Sequence, residues 1–309
     1  MKLSIINKPK PFIKWAGGKT QLISSINKSL PHDFSKKEIT FIEPFVGSGA
    51  VLFWMLNNFP NIKKAVINDI NSDLTNSYKS IRSNVNELII QLSIWEKEYH
   101  KYKDDSEKRK IYYYNKRELF NLRNSDNITQ SALFIFLNKT CFNGLFRVNK
   151  KNLFNVPIGS YKTPMICDEN NLNAVSEILK NVEILNGDFE DTLSSIGNIS
   201  FFYFDPPYKP LNKTSSFNSY SKDDFNDAEQ IRLRNFCKRL DFYDHSWMLS
   251  NSDVAGCESN NNFFDDIYAE FNISRVKARR SINANPNKRG ELNELLITNY
   301  HYEQAMSVA

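Results

Sequence analysis

Residues 41–56 read FIEPFVGSGAVLFWML, and the fold turns on how that stretch divides. The apolar run ending at Glu43 has the length and composition of a buried strand, and the apolar pattern after Gly49 has that of a helix. Gly47 and Gly49 mark a tight turn between them, where backbone approaches a ligand closely at the carboxyl edge of a sheet. Strand, glycine turn and helix in this order begin a doubly wound α/β domain. A dinucleotide fingerprint wants a third glycine, but position 52 is leucine, so a pyrophosphate cradle is disfavoured.

Outward from that turn, the next candidate strand (KAVIND, 64–69) ends in Asn68-Asp69, about 20 residues beyond the glycines, where a carboxylate receives ribose hydroxyls. The ligand reads as a nucleoside without a pyrophosphate, a description that S-adenosylmethionine fits. Upstream, PFIKWAGGKTQL (11–22) gathers Lys14, Trp15, Gly17, Gly18 and Lys19 into a loop before a helix. A core aromatic at Trp15 and a helix-end charge at Lys19 are the plain alternatives to a ligand role.

Further candidate strands are VEILNGD (182–188), SFFYFD (200–205), SWMLSN (246–251), NISRVKA (272–278) and ELLITNY (294–300), with TFIEP (40–44) as the first. Helical patterns lie between them, including 227–240 and a weaker one at 261–271. The series breaks once. From Leu74 to Asn181 the chain carries long helical patterns and no comparable strand, which predicts an inserted, mainly helical domain at 74–181 within a domain made of 1–73 and 182–309. Within it, LFRVNKKNLFNVPIG (145–159) has two apolar-aromatic arms around a basic centre, the pattern of a β-hairpin.

The stretch FFYFDPPYKP (201–210) ends a strand of aromatic residues in a carboxylate and two prolines. Pro206 and Pro207 cannot continue a ladder, so Asp205 is expected at a strand tip. On this segment alone, a simple turn explains it equally well.

Composition narrows the partners. The 309 residues are 41% hydrophobic with 13% aromatic, and no apolar run approaches the roughly 20 residues of a membrane span, so a cytoplasmic, nucleoid-associated location is expected. Cys141, Cys167, Cys237 and Cys257 match neither a zinc ribbon nor a disulfide framework, and the four histidines are scattered, so no metal is expected. The formal charge of +5 is unevenly spread. Residues 138–163 hold five basic residues and no acid, and 273–290 hold six and no acid (Arg275, Lys277, Arg279, Arg280, Lys288, Arg289). Two such segments favour a polyanion partner.

Taken together, PFIKWAGGK, FIEPFVGSG, NDIN and DPPY, in this order and with a helical insertion before the last, resemble the DNA adenine methylase (Dam) family from about Pro11 to Tyr300. CFNGLFRVN and FNVPIGSYK resemble that family's DNA-reading hairpin. The resemblance implies a class I S-adenosylmethionine-dependent methyltransferase, with a Rossmann-like, mostly parallel seven-stranded sheet and an inserted DNA-recognition domain. It implies transfer of methyl from S-adenosylmethionine to N6 of adenine in double-stranded DNA, usually within GATC, with or without a cognate restriction endonuclease. By similarity Trp15, Lys19, Glu43, Phe45, Gly47, Gly49, Asp69, Asp188, Phe189 and Asp205 hold the cofactor. Asp205, Pro206, Pro207 and Tyr208 form the catalytic motif. Lys14, Phe142, Asn143, Leu145, Arg147, Asn149, Lys150, Lys151 and Pro157 meet DNA.

The chemistry suits these residue types. The exocyclic amine of adenine is a weak nucleophile because its lone pair is delocalised, and two acceptors, Asp205 and the Pro206 carbonyl, would hold it tetrahedral. The base must leave the duplex to reach them, and Tyr208 offers it a face. Arg147 is expected to read guanine, with Lys150 and Lys151 on phosphates and Phe142 or Leu145 as a wedge. Two alternatives stand beside this reading: the same chemistry on RNA or on a protein glutamine, the protein methylases generally carrying Asn in place of Asp205, and a nucleic-acid-binding protein that has lost activity.

Overall fold

The structure of the chain, a computed structural model, describes residues 8–15, 17–209, 225–255, 261–279 and 291–302. Its strands are β1 (Ile39–Glu43), β2 (Ile62–Ile67), β3 (Val182–Ile184), β4 (Ser200–Phe204), β5 (Ser246–Ser252), β6 (Asn272–Arg279) and β7 (Glu291–Thr298). They form one seven-stranded sheet in the order β3-β2-β1-β4-β5-β7-β6. β1 pairs in parallel with β2 and β4, as do β2 with β3 and β4 with β5, while β7 runs antiparallel to both β5 and β6. This is the mostly parallel, seven-stranded sheet that the resemblance implies.

The helices are α1 (Ile23–Lys28), α2 (Ala50–Asn58), α3 (Ser72–Lys101), α4 (Ser106–Leu122), α5 (Asn127–Thr140), α6 (Glu169–Leu179), α7 (Asp227–Phe242) and α8 (Phe263–Ile267). Successive strand residues point to opposite faces. Phe41, Ala65, Phe201, Tyr203 and Met248 face a core that includes Ile26, Val51, Leu74, Leu133 and Leu172. Ile42, Val66, Phe202, Phe204, Trp247 and Leu249 face the other, with Leu233, Phe236 and Leu240 of α7 and Phe264 of α8. Both faces being covered, the central strands are continuous apolar runs; all five residues of β4 are buried. Each such aromatic contributes roughly 1.5–3 kcal/mol by leaving water.

The insertion between β2 and β3 is helical. Asn71 caps α3, accepting from the N–H groups of Asp73 and Leu74, and the helix kinks at Asn84. Before the kink α3 lies on the sheet, with Tyr78 Oη donating to the Gly47 carbonyl at 3.0 Å and Arg82 Nη1 to that of Val182 at 3.0 Å. Beyond it, Leu88, Leu92, Trp95 and Tyr99 join Phe120 and Phe136 in an apolar cluster continuous with one sheet face.

The predicted hairpin is present in reduced form, as two isolated antiparallel bridges, Cys141↔Ile158 and Val148↔Phe154. Its tip is a side-chain-built turn: Asn149 Oδ1 accepts from the N–H groups of Lys151 and Leu153, and Asn152 is left-handed. Pro157 has no N–H to extend the ladder, and its carbonyl accepts from Phe142 N at 2.9 Å. The pattern at 261–271 shortens to α8. Arg280, Lys288 and Arg289 of the second basic segment lie outside the described residues, as does Cys257. Among the described residues no helix is long and apolar enough to cross a membrane.

Candidate active site and nucleic-acid interface

β1 and β4 lie side by side, and from them the chain order runs outward in opposite directions. Such a switch point opens a crevice at the carboxyl ends of the strands. Glu43, the last residue of β1, and Asp205, the first after β4, both stand there. Asp205 Oδ1 sits 2.8 Å from Lys19 Nζ and accepts a hydrogen bond from Ser250 Oγ at 3.2 Å. Ser250 Oγ is also 3.0 Å from the buried Tyr203 hydroxyl. Burial raises the pKa of Asp205, Lys19 opposes that rise, and the charge of Glu294 adds to it. Lys19 is itself buried, donates to the Gly17 carbonyl at 2.8 Å and lies 4.2 Å from the Tyr208 ring centre.

The residues after Asp205 are fixed by polar groups from neighbouring elements. Gln230 Nε2, on α7, donates to the Pro207 carbonyl at 3.0 Å, and Asn251 Nδ2 donates to Gln230 Oε1 at 3.2 Å. Ser252 Oγ donates to the Lys209 carbonyl at 2.7 Å. Tyr208 Oη donates to Glu294 Oε2 at 2.7 Å, on β7. Gln230, Ser250 and Asn251 are almost wholly buried, so the loop rests on hydrogen bonds shielded from water, where they are strongest.

Next to this tip is the glycine turn. Asp69 accepts from Gly47 N at 3.1 Å with one carboxylate oxygen and from Asn71 N at 2.9 Å with the other. Burial pushes its pKa up to about 6 against these bonds. Asn68 joins three strand-end loops, donating to the carbonyls of Pro44 and Gly187 at 3.1 and 3.0 Å. Gly47 has φ +49°, and a Cβ there would stand 2.9 Å from Trp15 Cδ1, so only glycine fits against that ring. Glu43 is buried, Oε2 has no hydrogen-bond partner among the described residues, and burial followed by the charge of Asp205 raises its pKa well above the usual carboxylate range. Phe45 and Phe189 pack at 5.5 Å. Asp188 is bound by Arg232, with Oδ2 2.6 Å from Nη2, which holds its pKa below the usual range.

The hairpin turns Phe146, Val148, Phe154 and Val156 inward and Arg147, Lys150, Lys151 and Pro157 outward. Arg147 Nε donates to Asn155 Oδ1 at 2.7 Å across the hairpin. Phe142 is 51% exposed, whereas Leu145 is half-buried against the core; of the two expected wedges, Phe142 is the more exposed. Asn143 is exposed with φ +56°, and Asn149 spends its carbonyl oxygen on the tip turn. Lys14 meets the hairpin root at Gly144, its Nζ 3.4 Å from the Tyr161 hydroxyl. A cleft of about 280 Å³ between loop and hairpin is lined by Lys14, Trp15, Thr20, Ser48, Asn143 and Leu145.

The structure thus brings Lys19, Glu43, Asp69, Asp205 and Tyr208 to one crevice, with Lys14 and the hairpin beside it. Reading the sequence missed Ser250, Glu294, Gln230, Asn138 and Arg232. Polar residues inside the apolar strand SWMLSN were the available signal for Ser250 and Asn251. Among the described residues, no group of three or more His, Cys, Asp and Glu side chains is arranged to hold a metal ion.

A family model described as D12 class N6 adenine-specific DNA methyltransferase matches residues 15–282. The type II methyltransferase M.MjaIII of Methanocaldococcus jannaschii is 52% identical over 295 residues, covering 94% of this chain and 99% of that protein. The type II methyltransferase M1.LlaDCHI of Lactococcus lactis subsp. cremoris is 37% identical over 302 residues, covering 94% and 95%. A DNA adenine methylase of Haemophilus influenzae is 36% identical over 291 residues, covering 94% and 93%. With a match from Trp15 through the glycine turn, the insertion and the Asp205 tip, the chain belongs to the D12 class of N6 adenine-specific DNA methyltransferases.

Proposed function

We propose that the protein methylates N6 of adenine within GATC in double-stranded DNA, taking the methyl group from S-adenosylmethionine after the target base is flipped out of the helix. The observation that carries this reading is Asp205 itself. Its Oδ1 is engaged by Lys19 and Ser250, which supports Oδ2 as the acceptor for a substrate N–H. The Pro206 carbonyl is the second acceptor, on a backbone stiffened by two prolines and anchored one residue on through Gln230. Two acceptors hold the amine so that its lone pair is directed outward, and the carboxylate stabilises positive charge growing on nitrogen. Tyr208, fixed by Glu294, gives the extruded base a stacking face.

The residues present fit the methyl donor. Asp69 offers a carboxylate at a strand tip to ribose hydroxyls, Glu43 has a buried oxygen to spare, and Gly47 leaves backbone bare beside Trp15. Lys19, Phe45, Gly49, Asp188 and Phe189 complete the set proposed to hold it. Asp188 must then share its carboxylate between Arg232 and the ligand's adenine. When bound, S-adenosylmethionine supplies an electrophilic sulfonium methyl group.

Phe142, Asn143, Leu145, Arg147, Asn149, Lys150, Lys151 and Pro157, within a recognition part spanning 74–181, are proposed to meet the duplex together with Lys14 of the N-terminal loop beside it. By likeness to relatives named type II methyltransferases, the enzyme works beside a cognate restriction endonuclease that acts independently, or as an orphan or phage methylase. The test is the methylation rate on a GATC duplex and on duplexes changed at each position. A strong preference for GATC is expected; equal rates on every adenine-containing duplex would contradict the sequence assignment.

A further inference from the structure

We propose that Asn138 is a positioning residue that couples target reading at the hairpin to methyl transfer at Asp205. It does so by fastening the loop that carries Lys14, Trp15 and Lys19 to the hairpin root. The inference rests on the DNA-methylation reading above and adds a residue and a coupling to it.

Asn138 lies in the last turn of α5 and is 2% exposed. Its carboxamide makes three hydrogen bonds to two other segments. Oδ1 accepts from Lys14 N at 2.8 Å, while Nδ2 donates to the Lys14 carbonyl at 2.8 Å and to the Gly144 carbonyl at 3.0 Å. One side chain therefore grips both backbone groups of Lys14 and the first turn of the hairpin. The seam is tight: Gly144 has φ +66°, and a Cβ there would stand 2.5 Å from Lys14 Cδ and 2.9 Å from its Cβ.

What Asn138 holds leads directly to the chemistry. Trp15, next to Lys14, stacks on Phe146 of the hairpin at 5.5 Å and 22° and also lies against Gly47 of the glycine turn. Four residues further, Lys19 holds Asp205 and faces Tyr208. A shift of the hairpin root on a DNA target moves Gly144, and through Asn138 it moves Lys14 and Trp15. Such a link makes the cognate duplex and the methyl donor strengthen each other's binding, a reciprocity required by linkage.

A buried asparagine with a merely structural role would lower stability when removed and leave the two binding events as coupled as before. The discriminating readout is the dissociation constant of S-adenosylhomocysteine alone, with a GATC duplex and with a duplex changed at one position. It is measured for wild type, Asn138→Ala and Gly144→Ala alongside thermal unfolding. In wild type the GATC duplex is expected to tighten the ligand by about 5–150-fold, and in either variant by about twofold or less. Gly144→Ala acts from the other side of the seam and keeps Asn138, so it carries the test should Asn138→Ala fail to fold. A wild-type enzyme that methylates DNA without coupling, or folded variants that keep it, overturns the inference and leaves the methylation reading intact. A wild-type chain that methylates no duplex overturns both.

Discussion

Lys19 Nζ lies 2.8 Å from Asp205 Oδ1 and 4.2 Å from the centre of the Tyr208 ring, so one buried ammonium organises two of the four residues of the tip proposed to be catalytic. Burial raises the Asp205 pKa and Lys19 restrains it. The accepting form is the carboxylate, so the methylation rate must fall as pH drops through that pKa. Lys19→Met removes the restraint. Single-turnover rates should then drop by about a hundredfold near neutral pH, with the acid limb moved to higher pH. An unchanged pH profile would separate Lys19 from Asp205.

Asp69 gives a second pH signature. Its pKa is raised to about 6 because burial penalises the charge, so ionisation costs the fold, and this contribution to stability declines as pH rises from about 4 to 6. Ribose hydroxyls need the carboxylate. Calorimetry should show S-adenosylhomocysteine binding weakening as pH falls through 6, and Asp69→Ala losing about 10–100-fold in affinity while duplex affinity changes less. Unaltered cofactor affinity would remove Asp69 from the ribose.

Arg147 and the tip lysines should part company. If Arg147 makes the proposed bidentate guanine contact, which would discriminate bases by about 1–3 kcal/mol, Arg147→Ala should lower the preference for GATC over a singly substituted site. Asn155→Ala, which frees Arg147 Nε, should give a weaker version of the same loss. Lys150→Ala and Lys151→Ala should weaken all duplexes alike and reduce the salt dependence of binding. Equal loss on every duplex with Arg147→Ala would reduce that residue to a phosphate anchor.

The Tyr208–Glu294 hydrogen bond predicts a graded series. Tyr208→Phe keeps the stacking face and should cost less than about tenfold in rate, whereas Tyr208→Ala should cost far more. With 2-aminopurine at the target adenine, wild type should raise fluorescence on binding and Tyr208→Ala should alter that signal. The same response from duplexes lacking the site would argue against site-specific flipping.

How much of this was legible beforehand differs by element. β1, the glycine turn and β4 announced themselves, because central parallel strands must be apolar on both faces and the chain has to stop them at Glu43 and Asp205. The hairpin was legible as alternation, but its reduction to two bridges was not, since Asn149 and Asn152 build the tip by side-chain and left-handed geometry. The support of the site was hidden. Gln230, Ser250 and Glu294 come from three elements far along the chain; the polar residues inside SWMLSN mark Ser250 as unusual, but nothing local says that it, Gln230 or Glu294 will face a loop formed by residues 205–209. Asn138 was equally silent, because its three partners lie 124 and 6 residues away.

The most direct test of the central claim is the identity of the methylated nucleoside. A GATC duplex is incubated with labelled S-adenosylmethionine and wild-type enzyme or Asp205→Ala, then digested and resolved by chromatography and mass spectrometry. The account predicts N6-methyladenine as the labelled product with wild type, and none above background with Asp205→Ala. Label on cytosine, or wild-type levels of N6-methyladenine from Asp205→Ala, would contradict it.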